Sequence, residues 1–159
     1  MRWATQNNTE LILIVYPYHG QLLVMIDELG LWPLFEEWKR RIVNIMEEEV
    51  GDSQHRIAFI DFSGFSEYAT EKIPSRNDKK STTQWYWEAG HFKKELGDIV
   101  LEKALTSSPI QDNSTQFGTK LHSSNIEQHL SNLRSAKDHF RKENPEFVAD
   151  IQTIVQRIK

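Results

Sequence analysis

Short unbroken apolar runs alternate along this chain with longer stretches in which apolar residues recur every three or four positions. "LILIVY", residues 11–16, is apolar throughout and stops at Pro17, the pattern of a strand buried on both faces. Leu22, Leu23, Ile26 and Leu29 then follow helical spacing up to Gly30. From Leu31, the positions Leu34, Phe35, Trp38, Ile42, Ile45 and Met46 define the clearest helix. Pro33 suits its first turn, and Lys39, Arg40, Arg41 and the run Glu47 to Glu49 form its wet side. "RIAFIDF", residues 56–62, reads as a second strand closed by "SGF". A strand, a helical connection and another apolar strand predict a right-handed crossover and a parallel pair.

Residues 66–83 are polar and loop-like, and residues 92–105 carry Phe92, Leu96, Ile99, Val100 and Ala104 on one helical side. A stretch rich in Ser, Thr, Asn and Gly follows, so residues 107–124 read as a linker. Ser124 and Glu127 suggest a capping box for a helix bearing Ile126, Leu130, Leu133 and Phe140. Asn144-Pro145 opens a last helix with Phe147, Ile151, Ile154, Val155 and Ile158 inward. The organisation expected is an α/β portion over 1–106, the linker, and an appended helical hairpin over 125–159. Two strands are too few for a stable open sheet. Together with an apolar strand that starts by residue 11, this leads us to expect strands from missing upstream sequence or from a partner.

At 159 residues, the chain is long enough for one domain with a core. Its net charge of −4 and lack of a basic run argue against a nucleic-acid partner. No apolar run approaches the ~20 residues of a membrane span. With no cysteine, disulfides and thiolate chemistry are excluded, while the compartment, cytoplasm or cell envelope, stays open. Unpaired sheet edges would favour association, including a homo-oligomer.

In open parallel sheets, sites gather at the carboxyl ends of the strands. Those ends are Tyr18-His19 after the first strand and Asp61-Phe62-Ser63 after the second. The third polar cluster lies in "WYWEAGHFKKELGD", residues 85–98. There Glu88 stands three residues before His91, with Gly90 permitting a sharp turn between them. A histidine base needs a neutral ring and an acceptor that holds the nitrogen it does not use. Glu88 can be that acceptor, and such a dyad then lacks a hydroxyl nucleophile and an oxyanion hole.

"YWEAGHFKKELGDIVLEKAL" resembles the last block of the SGNH/GDSL hydrolase superfamily, in which an acidic residue, two spacers and a histidine precede the final helix. The order of "YPYH", amphipathic helix, "IAFIDFSG", loop and acid–histidine block fits the second half of that fold over roughly residues 5–106. The resemblance implies a flavodoxin-like, three-layer α/β/α sandwich, here partial, and a serine esterase or acyltransferase that needs no metal or organic cofactor. It implies His91 as base and Glu88 as its orienting acid, where the family more often has aspartate. The substrate implied is a small-molecule ester or an acylated glycan. The nucleophile block is not found. "GDS" at Gly51-Asp52-Ser53 follows a helix and precedes a strand, so it reads as a turn on the opposite edge. "SRND", residues 75–78, comes too late in the order to serve as the asparagine block. Ser63 is the fallback nucleophile, and Tyr18, His19, Asp61 and Trp87 are candidates for the substrate side.

Each of these residues also has a structural reading. Glu88 and His91 can simply open a helix, with the glutamate favouring its dipole. Trp85, Tyr86 and Trp87 can be packing, His19 a satisfied surface histidine, and Asp61 a turn former. His122, His129 and His139 have no carboxylate pattern that completes a metal site, so they read as solvated. The functional alternative to an enzyme is a non-catalytic remnant or scaffold that acts through partner association.

Overall fold

The computed structural model describes residues 1–50, 57–74, 78, 80–106 and 117–158. The protein is a mixed α/β structure, rich in helix around a small sheet. After a short helix α1 (Arg2–Gln6) comes β1 (Leu11–Val15), then α2 (Gly20–Glu28) and α3 (Trp32–Val50). β2 (Ile57–Asp61) lies parallel to β1 in the register Leu11↔Ile57 to Val15↔Asp61. β3 (Tyr86–Glu88) and β4 (His91–Phe92) form a separate hairpin ahead of α4 (Lys94–Leu105). β5 (Thr119–Lys120) returns antiparallel beside β2, and α5 (Ile126–Glu143) and α6 (Pro145–Gln156) end the chain.

Local chemistry sets several of these boundaries. α2 stops because Gly30 adopts φ +73°, and the Gly30 and Leu31 amides donate to the carbonyls of Asp27 and Ile26. These two bonds satisfy the last-turn carbonyls in a Schellman closure, which favours glycine at that position. Gly118 sits at φ +91° immediately before β5, where a Cβ would come within 2.5 Å of the Phe62 ring. Pro145 occupies the first turn of α6, where its missing N–H costs nothing.

The sheet buries both of its faces. Val15 and Phe59 pack with Leu23, Val43, Leu130 and Leu133 on one side. Ile60 and Phe62 pack with Tyr86, Leu96, Val100 and Phe117 on the other. A third cluster joins α2 to α6 through Val24, Val148, Ile151 and Val155.

Several expectations change here. β1 is an edge strand among the described residues and is only partly buried along its length, with Ile14 38 % exposed, rather than fully buried on both faces. The stretch 107–124 contains β5, while residues 107–116 lie outside the described residues, as do "GDS" and most of "SRND". Residues 91–92 belong to the hairpin, so α4 starts at Lys94. The Ser124/Glu127 capping box does not form. Asn125 is the N-cap, Ser124 Oγ pairs with His122 Nδ1, and Glu127 instead holds Arg40. The C-terminal helices are not appended to the outside, because Ile126, Leu130 and Leu133 of α5 enter the same core as Val15 and Phe59. Among the described residues, no helix is long and apolar enough to cross a membrane.

Candidate functional site

The hairpin presents the acid–histidine pair. Tyr86 pairs with Phe92 and Glu88 with His91, with a bulge between Tyr86 and Glu88. Tyr86 is buried and Phe92 packs beside it, and because the bulge breaks the alternation after Tyr86, both Trp87 and Glu88 are exposed, with His91 opposite Glu88. The His91 ring donates from Nδ1 to Glu88 Oε1, and the Gly90 amide donates to Glu88 Oε2 at 2.8 Å. The Gly90 amide first, and His91 second, hold the Glu88 carboxyl below its ordinary range. An ionised carboxylate can only accept, so the ring proton sits on Nδ1 and the lone pair on Nε2. Among the described residues, nothing meets Nε2, and the His91 side chain is 79 % exposed. Trp87 is also exposed, with Lys93 Nζ 4.8 Å from its ring centre.

The hairpin hangs on the carboxyl end of β1. The His19 amide donates to the Ala89 carbonyl at 3.1 Å, and the Tyr16 and Phe92 rings meet edge-on at 5.6 Å. His19 itself is a buried structural residue. Its Nδ1 caps α2 by accepting from the Gln21 amide, so Nε2 carries the proton and donates to the Glu71 carbonyl at 2.9 Å. Burial lowers the pKa of this ring, against a smaller opposing effect of Glu71.

A second polar centre lies inside the protein at the end of β2. Asp61 Oδ1 accepts from the Ser63 amide at 2.8 Å and from its hydroxyl at 2.7 Å. Asp61 Oδ2 accepts from Lys39 Nζ at 2.6 Å and from His129 Nε2 at 2.8 Å. Lys39 also donates to Ser63 Oγ at 2.8 Å and lies 4.1 Å from the Phe35 ring centre. Burial would raise the Asp61 carboxyl, but the Lys39 ammonium and the His129 hydrogen bond prevail and hold it far below the usual carboxylate range. Tyr18 lies close enough to be affected: burial first, then Tyr16 and Asp61, push its hydroxyl up.

The structure therefore joins Glu88 to His91, and Asp61 to Ser63, as two separate centres. Ser63 is buried, with its hydroxyl committed between an ammonium and a carboxylate and, among the described residues, no imidazole bonded to it. A carboxylate so acidic is a poor base, so the pairing does not activate the serine. Lys39 and His129, read from sequence as solvated, are the residues that complete this centre. A signal existed. Lys39 falls on the inward line of Trp32, Phe35, Val43 and Met46, and His129 on that of Ile126, Leu130 and Leu133. The run beginning at Glu47 is not wholly solvated either, since Glu47 Oε1 accepts from the Ser123 amide at 2.9 Å. Among the described residues, no group of His, Cys, Asp and Glu is arranged to hold a metal ion. No family model, curated protein or solved structure matches the chain.

Proposed function

We propose that this chain supplies the acid–histidine half of an SGNH-like acyl-transfer site, in the later part of a flavodoxin-like α/β/α sandwich. The observation that carries the reading is the orientation of His91: Glu88 fixes its Nδ1, and Nε2 faces outward from a hairpin anchored at the carboxyl end of β1. In the proposed reaction, a serine outside the described residues attacks an ester carbonyl of a small molecule or acylated glycan. His91 Nε2 accepts the serine proton and passes it to the leaving alkoxide, and water then releases the acyl group by the same route. Glu88 keeps the tautomer correct and stabilises the imidazolium. Metal and organic cofactors have no part in this chemistry.

The alternative is a non-catalytic module that works by association. It rests on the outer side of α3, where Leu34 and Trp38 are exposed in line. Hydrolysis of p-nitrophenyl acetate by the full chain separates the two readings. The His91→Ala variant is expected to lose the pH-dependent rate above that of the other histidines. Glu88→Gln, with the circular dichroism unchanged, is expected to lower it several-fold. Equal rates in wild type and both variants would leave the association reading. Fluorophosphonate labelling with peptide mapping completes the test, and stoichiometric, His91-dependent labelling of Ser63 would refute an external nucleophile.

A further inference from the structure

A cavity of about 400 Å³ opens at the other edge of the sheet, where β2 begins, far along the strand from the hairpin. Its walls are apolar: Val43 and Met46 from α3, Ile57 and Phe59 from β2, and Leu121 just after β5. Its mouth is polar, lined by Glu47, Lys120 and His122. This size and division, an apolar body with a few converging polar groups, are those of a small-molecule site.

The mouth is built rather than loose. Asn125 ties it from both sides, donating from Nδ2 to the Lys120 carbonyl at 2.8 Å and accepting at Oδ1 from the His122 amide at 3.0 Å. Glu47 Oε1 fixes the next residue by accepting from the Ser123 amide. Ser124 Oγ pairs with His122 Nδ1 at 2.7 Å, and in the tautomer in which the hydroxyl donates, the ring offers an Nε2–H to a ligand.

Three polar groups at the mouth keep hydrogen-bonding capacity among the described residues: the Lys120 ammonium, His122 Nε2–H, and the Glu47 carboxylate, which Ser123 engages through its hydroxyl and amide and which still has lone pairs to offer. Two are donors suited to a carboxylate, and the third is an acceptor suited to an ammonium. A simple carboxylate would leave Glu47 opposing it, and a simple amine would leave Lys120 opposing it. A ligand with both charges on one end and an apolar body on the other satisfies all three groups.

We propose that this cavity binds a large apolar α-amino acid as its zwitterion. The carboxylate lies between Lys120 and His122, the ammonium on Glu47, and the side chain against Phe59, Leu121 and Met46. The site lies apart from the Glu88–His91 hairpin and does not depend on the function proposed for it.

The test uses the full chain and three probes of one shape: L-leucine, 4-methylpentanoate, which lacks the ammonium, and 3-methylbutylamine, which lacks the carboxylate. Binding is read from amide chemical shifts over Leu121–Ser124 and from calorimetry. Leucine is expected to shift those amides at millimolar concentration, and each truncated probe to bind about tenfold more weakly, the loss of one charge-assisted contact. Glu47→Gln is expected to weaken leucine by a similar factor while leaving 4-methylpentanoate no weaker. Lys120→Gln serves as the second variant, weakening leucine but not 3-methylbutylamine. Absence of shifts with leucine would overturn the proposal. So would equal binding of all three probes, which would reduce the site to an apolar hole.

Discussion

Replacing Lys39 by methionine isolates the energetics of the buried centre. Methionine keeps much of the length and apolar bulk of the lysine stem, so the principal loss is the ammonium. That ammonium lies 2.6 Å from Asp61 Oδ2, and both side chains are fully buried. Removing one partner of such a pair generally costs about 3–5 kcal/mol, because the other charge stays behind in a poor solvent. Here Asp61 keeps its Ser63 and His129 bonds, which places the expected loss near the lower limit, about 3 kcal/mol. Urea unfolding of wild type and Lys39→Met at neutral pH measures it. With a slope of about 2 kcal/mol per molar for a chain of this size, the midpoint should fall by roughly 1.5 M at unchanged slope. The pH dependence supplies an independent check. Asp61 is held below its unfolded value, so its stabilising contribution is fully present above about pH 4 and is lost as pH falls further. Without Lys39, the Asp61 carboxyl moves back up, and the gap between the two proteins should shrink on acidification below pH 4. A Lys39→Met, Asp61→Leu double variant strands no charge but leaves the Ser63 amide and hydroxyl and His129 Nε2 without their acceptor, so it should recover only part of the loss. A single variant within about 0.5 kcal/mol of wild type, the range of ordinary surface substitutions, would refute the reasoning. So would a gap that does not change with pH.

Two other outcomes are expected. Among the described residues, the buried Tyr86 hydroxyl has no hydrogen-bond partner, so Tyr86→Phe should leave thermal stability unchanged or raise it by up to about 1 kcal/mol, measured by calorimetry; a clear loss would reveal a missed partner. His19 has a lowered pKa, so the unfolded chain takes up its proton first and stability should fall as pH drops below about 6.5; His19→Asn retains a capping acceptor and should flatten that part of the stability–pH curve.

The regular elements were legible where pattern and length agree. The run Leu11–Val15, the long α3 stripe and the Asn144-Pro145 boundary all emerge near their expected places, because each depends on local spacing or on proline geometry. β5 was hidden because a two-residue Thr-Lys strand has no period to read, and it is made by pairing with Ile60 and Asp61. The hairpin was hidden for a related reason. Its bulge breaks alternation between Tyr86 and Glu88, so the Glu88–His91 spacing resembled a helix start. The inner polar centre was the largest omission. Polarity marks a residue for the surface only when no partner waits inside, and the partners of Lys39 come from a distant strand.

Asp61 also bears on how the chain assembles. Its contact with His129 spans 68 residues, whereas Lys39 comes from the helix immediately before its strand. An intermediate with β1, α3 and β2 docked but α5 still detached would have one carboxylate acceptor unfilled and the Leu130 and Leu133 side of its core open to water. Such a species gains little by forming early, so the sheet and the C-terminal helices should acquire protection from hydrogen exchange as one cooperative unit. Cutting the chain before Ile126 would then remove the closing part of the core rather than release an independent α/β unit.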